Sequence, residues 1–189
     1  GSTNTIIASM FQDRGLIPSE KLAGMMAAAI LSDTVMFKSP TCTNRDIRTA
    51  ERMARIADIS LDELGKKIFS ASVDGKTAKE LLFTDYKEFH IAGHDLAVAQ
   101  VTCVDSAHML SRKEELLAEM KAAAKKKGVS LLILMLTDVL LEGSQLLYVG
   151  DDDVISQAFG VTPRDNEVFL PKVMSRKKQI IPSLSALWG

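Results

Sequence analysis

Leu131 to Leu136 is an unbroken run of six apolar residues. It is far shorter than the roughly 18 residues a membrane helix needs. With no polar position inside it, the segment Val129 to Thr137 reads as a buried strand. Gln145 to Val149 reads as a second strand. Around this pair the period of the pattern is that of a sheet, whereas the first third of the chain is helical throughout.

Ser2 and Thr3 are available to cap a short helix over residues 5–13, with Gly15 as its stop. Pro18 and Ser19 open a second helix, whose apolar positions Leu22, Met25, Met26, Ala29 and Ile30 recur at helical spacing. Its apolar character continues through Val35, Met36 and Phe37 to Pro40. Thr43 with Asp46 three residues later is a capping box for a helix over 44–57. Ser60 caps another, with Leu61, Leu64 and Ile68 on one face. Val73-Asp74-Gly75 is turn-like and marks a linker, dividing the chain into residues 1–72 and 73–189.

Beyond the linker the expected order is a short helix over 77–82, then a hairpin of strands Tyr86 to Ile91 and Leu96 to Val104 around Ala92-Gly93. A long amphipathic helix follows from Ser111 to Lys127, stopped by Gly128. After the two strands already described come a short helix, Asp151 to Phe159, a short strand, Val168 to Leu170, and an extended tail over 173–181 ending at Pro182. The second part is thus an α/β domain with a mixed sheet.

The 189 residues suffice for one domain or two small ones, and 47% apolar with 25% charged residues is ordinary for a soluble globular protein. A net charge of −1 argues against nucleic-acid or membrane binding by the surface as a whole, so an anion site must be a local cluster. The two cysteines, Cys42 and Cys103, are too few for a disulfide framework and lack zinc spacing, which fits a reducing cytoplasm. The chain begins with Gly1 rather than Met, as a fragment or processed product would.

Three places carry residue types suited to phosphate chemistry. Asp33 lies between Ala27-Ala28-Ala29-Ile30-Leu31 and Val35-Met36-Phe37, where an ionised carboxylate is costly unless compensated. A divalent cation such as Mg²⁺ or Mn²⁺ would compensate it, and a helix cap or a water-facing helix end is the alternative. Ser175-Arg176-Lys177-Lys178-Gln179 concentrates three cations before Ile180-Ile181-Pro182, either as an anion site or as a solvated charge run. In a regular strand Arg176 and Lys178 would share a face, so joint action of Arg176 and Lys177 requires a twist or loop. Lys87 by itself is an ordinary solvent-facing strand lysine. His90, His94 and His108 lack metal-ligand spacing and read as surface residues. Lys125-Lys126-Lys127 and Asp151-Asp152-Asp153 are explained by the dipoles of the helices they end or begin.

Ala29-Ile30-Leu31-Ser32-Asp33-Thr34 followed by Phe37-Lys38-Ser39-Pro40-Thr41-Cys42-Thr43 resembles the last metal-ligand motif of family II inorganic pyrophosphatases, which belong to the DHH phosphoesterases. Asp85-Tyr86-Lys87-Glu88-Phe89 and Ser175-Arg176-Lys177-Lys178-Gln179 are similar to that family's substrate-binding motifs. Gly1-Ser2-Thr3-Asn4-Thr5-Ile6-Ile7, Ala99-Gln100-Val101 and Thr137-Asp138 also match. The resemblance runs over essentially the whole chain, in order.

It implies that residues 1–72 are the helical tail end of a DHH metal-binding domain and that 73–189 form the substrate-binding domain associated with it. Asp33 then resembles a ligand of one Mn²⁺ (or Co²⁺ or Mg²⁺), and Lys87, Arg176 and Lys177 resemble the residues that hold pyrophosphate. The implied reaction is hydrolysis of pyrophosphate to two phosphates by a metal-activated hydroxide. The family's Asp-His-His stretch and upstream His and Asp ligands are absent, so most of the metal site and the N-terminal DHH portion lie outside this chain. Taken alone it is expected to bind Mn²⁺ poorly and to be nearly inactive. A homodimer is a further implied partner, through contacts largely outside these residues. An exopolyphosphatase-like phosphoesterase and a non-catalytic phosphate-binding module remain as alternatives.

Overall fold

The computed structural model describes residues 1–189, which divide into two compact units, Gly1–Ala71 and Ser72–Gly189. The first unit is all helical: α1 (Thr3–Asp13), α2 (Glu20–Thr34), α3 (Asn44–Ala57) and α4 (Leu61–Ala71). Each of the first three starts on a hydroxyl cap read from the sequence. Ser2 Oγ accepts from Asn4 N, Ser19 Oγ from Leu22 N, and Thr43 forms the reciprocal capping box with Asp46. Ala8, Ala23, Met26, Ala27 and Met53 form the core between these helices. The small side chains of Ala23 and Ala27 let α2 lie close against its neighbours.

The apolar run outlasts α2 itself. Val35, Met36 and Phe37 all take positive φ, at 52°, 49° and 67°, so the helix stops at Thr34 in a left-handed turn. Three such residues without a glycine are strained. Thr34 holds the turn, because its Oγ1 donates to Ile30 O at 2.6 Å and accepts from Phe37 N at 3.2 Å.

The second unit begins with α5 (Ala78–Thr84), capped by a Thr77–Glu80 capping box. Five strands follow in the spatial order β1 (Tyr86–Ile91), β2 (His94–Cys103), β3 (Leu131–Asp138), β4 (Gly143–Val149) and β5 (Glu167–Pro171). Only β2 and β3 run parallel, joined through α6 (Ser106–Leu110) and α7 (Lys113–Lys127). The other pairs are antiparallel. All eight residues of β3 are buried. Leu132, Leu134 and Leu136 face a core shared with α5 and α7, while Leu131, Ile133 and Met135 face a second core with Ile155, Ile180 and Leu184. Each fully buried leucine contributes about 1.5–3 kcal/mol of transfer free energy. A central strand covered on both faces is what an unbroken apolar run requires.

Two expectations are corrected here. The long helix does not start at Ser111. The chain first makes the five-residue α6, capped by Asp105, and restarts at Lys113. Nor is the tail over 173–181 extended. Residues Arg176–Ile180 form a single π-helical turn that runs straight into α9 (Ile181–Trp188). Pro182 occupies the first turn of α9, where its missing N–H costs nothing, so it opens a helix instead of closing a strand. The strand expected from Leu96 begins two residues earlier, at His94. Before α9 comes α8 (Asp152–Phe159), capped by Asp151.

Candidate functional site: a basic turn anchored on the sheet

The π-helical turn places its three cations differently. Arg176 is 6% exposed, whereas Lys177 and Lys178 point to solvent. The guanidinium of Arg176 is spent on the β1–β2 hairpin: Nη1 donates to Asp85 O at 2.8 Å and to Val98 O at 3.0 Å, and Nη2 donates to Asp85 Oδ1 at 2.9 Å. Its Nε–H is buried and has no partner. Of the five guanidinium donors, one Nη2 hydrogen remains for a further acceptor, whereas the buried Nε–H is closed off from solvent.

Lys87 stands directly opposite Val98 in the antiparallel β1–β2 pair. Residues paired in this way project on the same face of a sheet, and Val98 lies in the core that holds Ile180 and Leu184. Lys87 and the basic turn therefore occupy the same face, near the β1 edge. Lys87 and Lys177 are exposed.

Side chains from the strand ends hold the turn. Gln179 Oε1 accepts from Met174 N at 2.8 Å and Ser175 N at 2.9 Å, and its Nε2 donates to Lys172 O at 2.8 Å. Gln100 Nε2 donates to Met174 O at 3.2 Å and to Thr137 Oγ1 at 3.0 Å, while Ser144 Oγ donates to Val173 O at 2.6 Å. Ser175 Oγ caps the turn by accepting from Lys178 N. Asp85, Gln100, Thr137, Ser144 and Gln179 thus position the basic turn. None was assigned a role from the sequence, although several stood inside the quoted motifs. The signal was present in Gln100 and Thr137, polar residues that interrupt or end the apolar runs of β2 and β3.

In the first unit Asp33 is exposed, contrary to its apolar sequence surroundings, because it sits on the outer side of the last turn of α2. Its Oδ2 accepts from Ser2 Oγ at 2.5 Å. Ser2 N in turn donates to Asp46, so one serine links the two carboxylates. Asp46 is 1% exposed and takes four donors: Ser2 N and Thr5 Oγ1 on Oδ1, Thr43 N and Thr43 Oγ1 on Oδ2. Burial pushes its pKa up, but the hydrogen bonds from Thr5, Thr43 and Ser2 outweigh it and hold the carboxyl well below the usual range.

No group of three or more His, Cys, Asp or Glu side chains converges on a point that could hold a metal ion. Asp46 has no lone pair to spare, and Asp33 offers a single carboxylate. The residues present therefore do not fit a metal centre by themselves. His90, His94 and His108 are exposed; His90 pairs with Asp95 and His94 stacks on Trp188. No helix is long and apolar enough to cross a membrane.

The DHHA2 domain profile matches residues 66–187. A manganese-dependent inorganic pyrophosphatase from Methanothrix thermoacetophila is 43% identical over 191 residues, covering 98% of this chain and 61% of that protein. A cobalt-dependent inorganic pyrophosphatase from Clostridium perfringens is 40% identical, covering 99% of this chain and 35% of that protein. The crystal structure of a Methanococcus jannaschii protein, provisionally assigned as a family II inorganic pyrophosphatase, superimposes with a TM-score of 0.82 at 35% identity, over 100% of this chain and 65% of that one. The chain thus spans about three fifths of the length of the first of these relatives. With the profile covering the sheet, the basic turn and the helices around them, the chain belongs to the DHHA2 domain family, and its relatives are inorganic pyrophosphatases.

Proposed function

We propose that this chain is the phosphate-holding part of an inorganic pyrophosphatase that hydrolyses pyrophosphate to two phosphates. The observation that carries the reading is the basic turn. A buried arginine is fixed to the hairpin, and Lys87 and Lys177 stand exposed on the same unit. In this reading Arg176 locks the turn and offers its remaining Nη2 hydrogen to a phosphate oxygen. Lys87 and Lys177 supply point charges that neutralise a multiply charged anion. Fixed cations of this kind stabilise the charge on the transferred and departing phosphates without reorganising.

The relatives are named for manganese and cobalt. In the whole protein Asp33 would contribute one carboxylate to such a metal, and the other ligands would come from an N-terminal DHH portion beyond these residues. Residues 1–71 would then be the end of that metal-binding domain. The reading includes a homodimer and a cytoplasmic setting, the latter supported by two unpaired cysteines.

The test is pyrophosphate hydrolysis with Mn²⁺ by the chain alone and after mixing with a separately produced N-terminal part. Activity is expected only in the mixture, and Lys177→Ala should raise KM and lower kcat by about tenfold or more, as loss of a charge-assisted contact does. Kinetics indifferent to Lys177→Ala and Lys87→Ala would remove the assignment. Saturable pyrophosphate binding without turnover, in halves shown to associate, would favour a non-catalytic phosphate-binding module. The lack of a converging ligand set within the chain is what keeps that second reading open.

A further inference from the structure

Unit one carries a second concentration of positive charge, unrelated to the basic turn. Arg45, Arg48, Arg52 and Arg55 recur at steps of three, four and three along α3, so they form one stripe. Together with Ser9, Gln12, Asp13 and Thr49 they line an open cleft of about 400 Å³ between α1 and α3. Four guanidinium groups against the one carboxylate of Asp13 leave the lining three charges positive. None of the four arginines is ion-paired to a carboxylate in the fold.

Two features argue that the stripe is more than a solvated helix face. Arg52 is drawn inward: it donates through Nη1 to Gln12 Oε1 and through Nη2 to Ala8 O at 3.0 Å, and its Nε is buried with no partner. A buried donor without an acceptor costs about 1–3 kcal/mol, so the bonds that hold this pose to Gln12 and to the Ala8 carbonyl outweigh that cost. Arg45 stands in the first turn of α3, where the helix dipole disfavours a cation, so helix stability does not account for it. A cleft lined by four arginines, one of them held in place by α1, is chemically matched to a multivalent oxyanion that several guanidinium groups grip at once.

We propose that this cleft is an anion-binding site for a multivalent phosphate, separate from the basic turn on the sheet. An apolar hollow of about 220 Å³, lined by Leu16, Ile17, Pro18 and Ile56, adjoins it and shares Gln12 and Arg52. The phosphate can therefore be free or part of an organic molecule whose apolar portion rests there.

The full chain, ¹⁵N-labelled, would be titrated with sodium tripolyphosphate and, separately, with ATP, both without metal. Lys87→Ala/Lys177→Ala serves as the background, so that the basic turn contributes little. Saturable shifts of the Ser9, Gln12 and Thr49 amides are expected with both ligands. Arg48→Ala/Arg55→Ala, two exposed positions whose loss should not unfold the helix, is expected to weaken Kd at least tenfold. Tighter binding of ATP than of tripolyphosphate, with added shifts at Leu16 and Ile17, would identify an organic phosphate. Equal affinity without those shifts would identify the inorganic anion. Saturable binding unchanged in the Arg48→Ala/Arg55→Ala variant, or shifts that never reach α1 and α3, would overturn the proposal. Because the basic turn is disabled throughout, these outcomes are independent of the pyrophosphatase reading.

Discussion

Arg176 and Asp85 are 91 residues apart in sequence, and Nη2 of the first lies 2.9 Å from Oδ1 of the second. The same arginine also closes on the Asp85 carbonyl, so one side chain grips both the backbone and the carboxylate of the residue that precedes β1. Through this clasp the basic turn is fixed to the hairpin that carries Lys87. The positions of Lys177 and Lys87 thereby depend on a residue that is itself 6% exposed.

Removing the clasp should therefore cost stability and, in the proposed function, phosphate binding as well. Arg176→Ala leaves the carbonyls of Asp85 and Val98 without this donor, and a destabilisation of about 2–4 kcal/mol is expected. Urea unfolding followed by circular dichroism would measure it. Arg176→Lys keeps the charge but cannot reproduce three directed bonds, so it should recover only part of the loss. A variant as stable as the parent would show that the clasp is dispensable.

Asp46 makes the first unit acid-sensitive. Its pKa in the fold lies below the ordinary value of 3.8, so the unfolded chain binds its proton first as pH falls. The stabilisation is complete above the ordinary carboxylate range, declines as pH drops below about 4, and is lost as pH passes the depressed value in the fold. Asp46→Asn should lower stability at pH 7 by about 2 kcal/mol, since an amide NH₂ would face the donors of Thr43 or Thr5. It should also flatten the acid limb of a stability curve measured from pH 3 to 7. An unchanged acid limb in the variant would assign the acid loss to other groups.

The two cysteines should differ in reactivity. Cys103 is 1% exposed, and burial, aided by the charge of Asp138, pushes its thiol up to about 12. Cys42 is half-buried, with a thiol raised mainly by burial and then by Asp46. With N-ethylmaleimide at pH 8, mass spectrometry should find Cys42 modified slowly and Cys103 unmodified until urea unfolds the second unit. Labelling of Cys103 in the folded chain at the rate of Cys42 would contradict its placement.

Much of the fold was legible wherever the determining interaction is local. The capping box at Thr43 and Asp46 places α3 at Asn44–Ala57, and the Ala92-Gly93 turn places β1 at Tyr86–Ile91. Both depend on residues within a few positions of one another. The misreadings share the opposite character. Pro182 was taken as a stop because a proline ends strands and opens helices equally well, and only the packing of Leu184 into the sheet's second core selects the helix. The five-residue α6 carries too little pattern to register as an element. The end of α2 at Thr34 has no signal in the apolar run through Val35, since nothing in an apolar residue announces positive φ.

The candidate site divides along the same line. The grouping of Lys87, Arg176 and Lys177 into one candidate site rests on a resemblance to whole motifs; spacing alone offers no link. Composition and periodicity determined that a helical block precedes a sheet with a fully buried strand, because burial of apolar surface follows from residue type. Which cation is buried and which are presented to solvent was decided by tertiary structure alone. The partners of Arg176 are carbonyls of Asp85 and Val98 and one carboxylate, brought to it by strand pairing across some ninety residues. Hydrogen bonds of that range have no sequence signature, since any residue supplies a carbonyl and only the fold says whose.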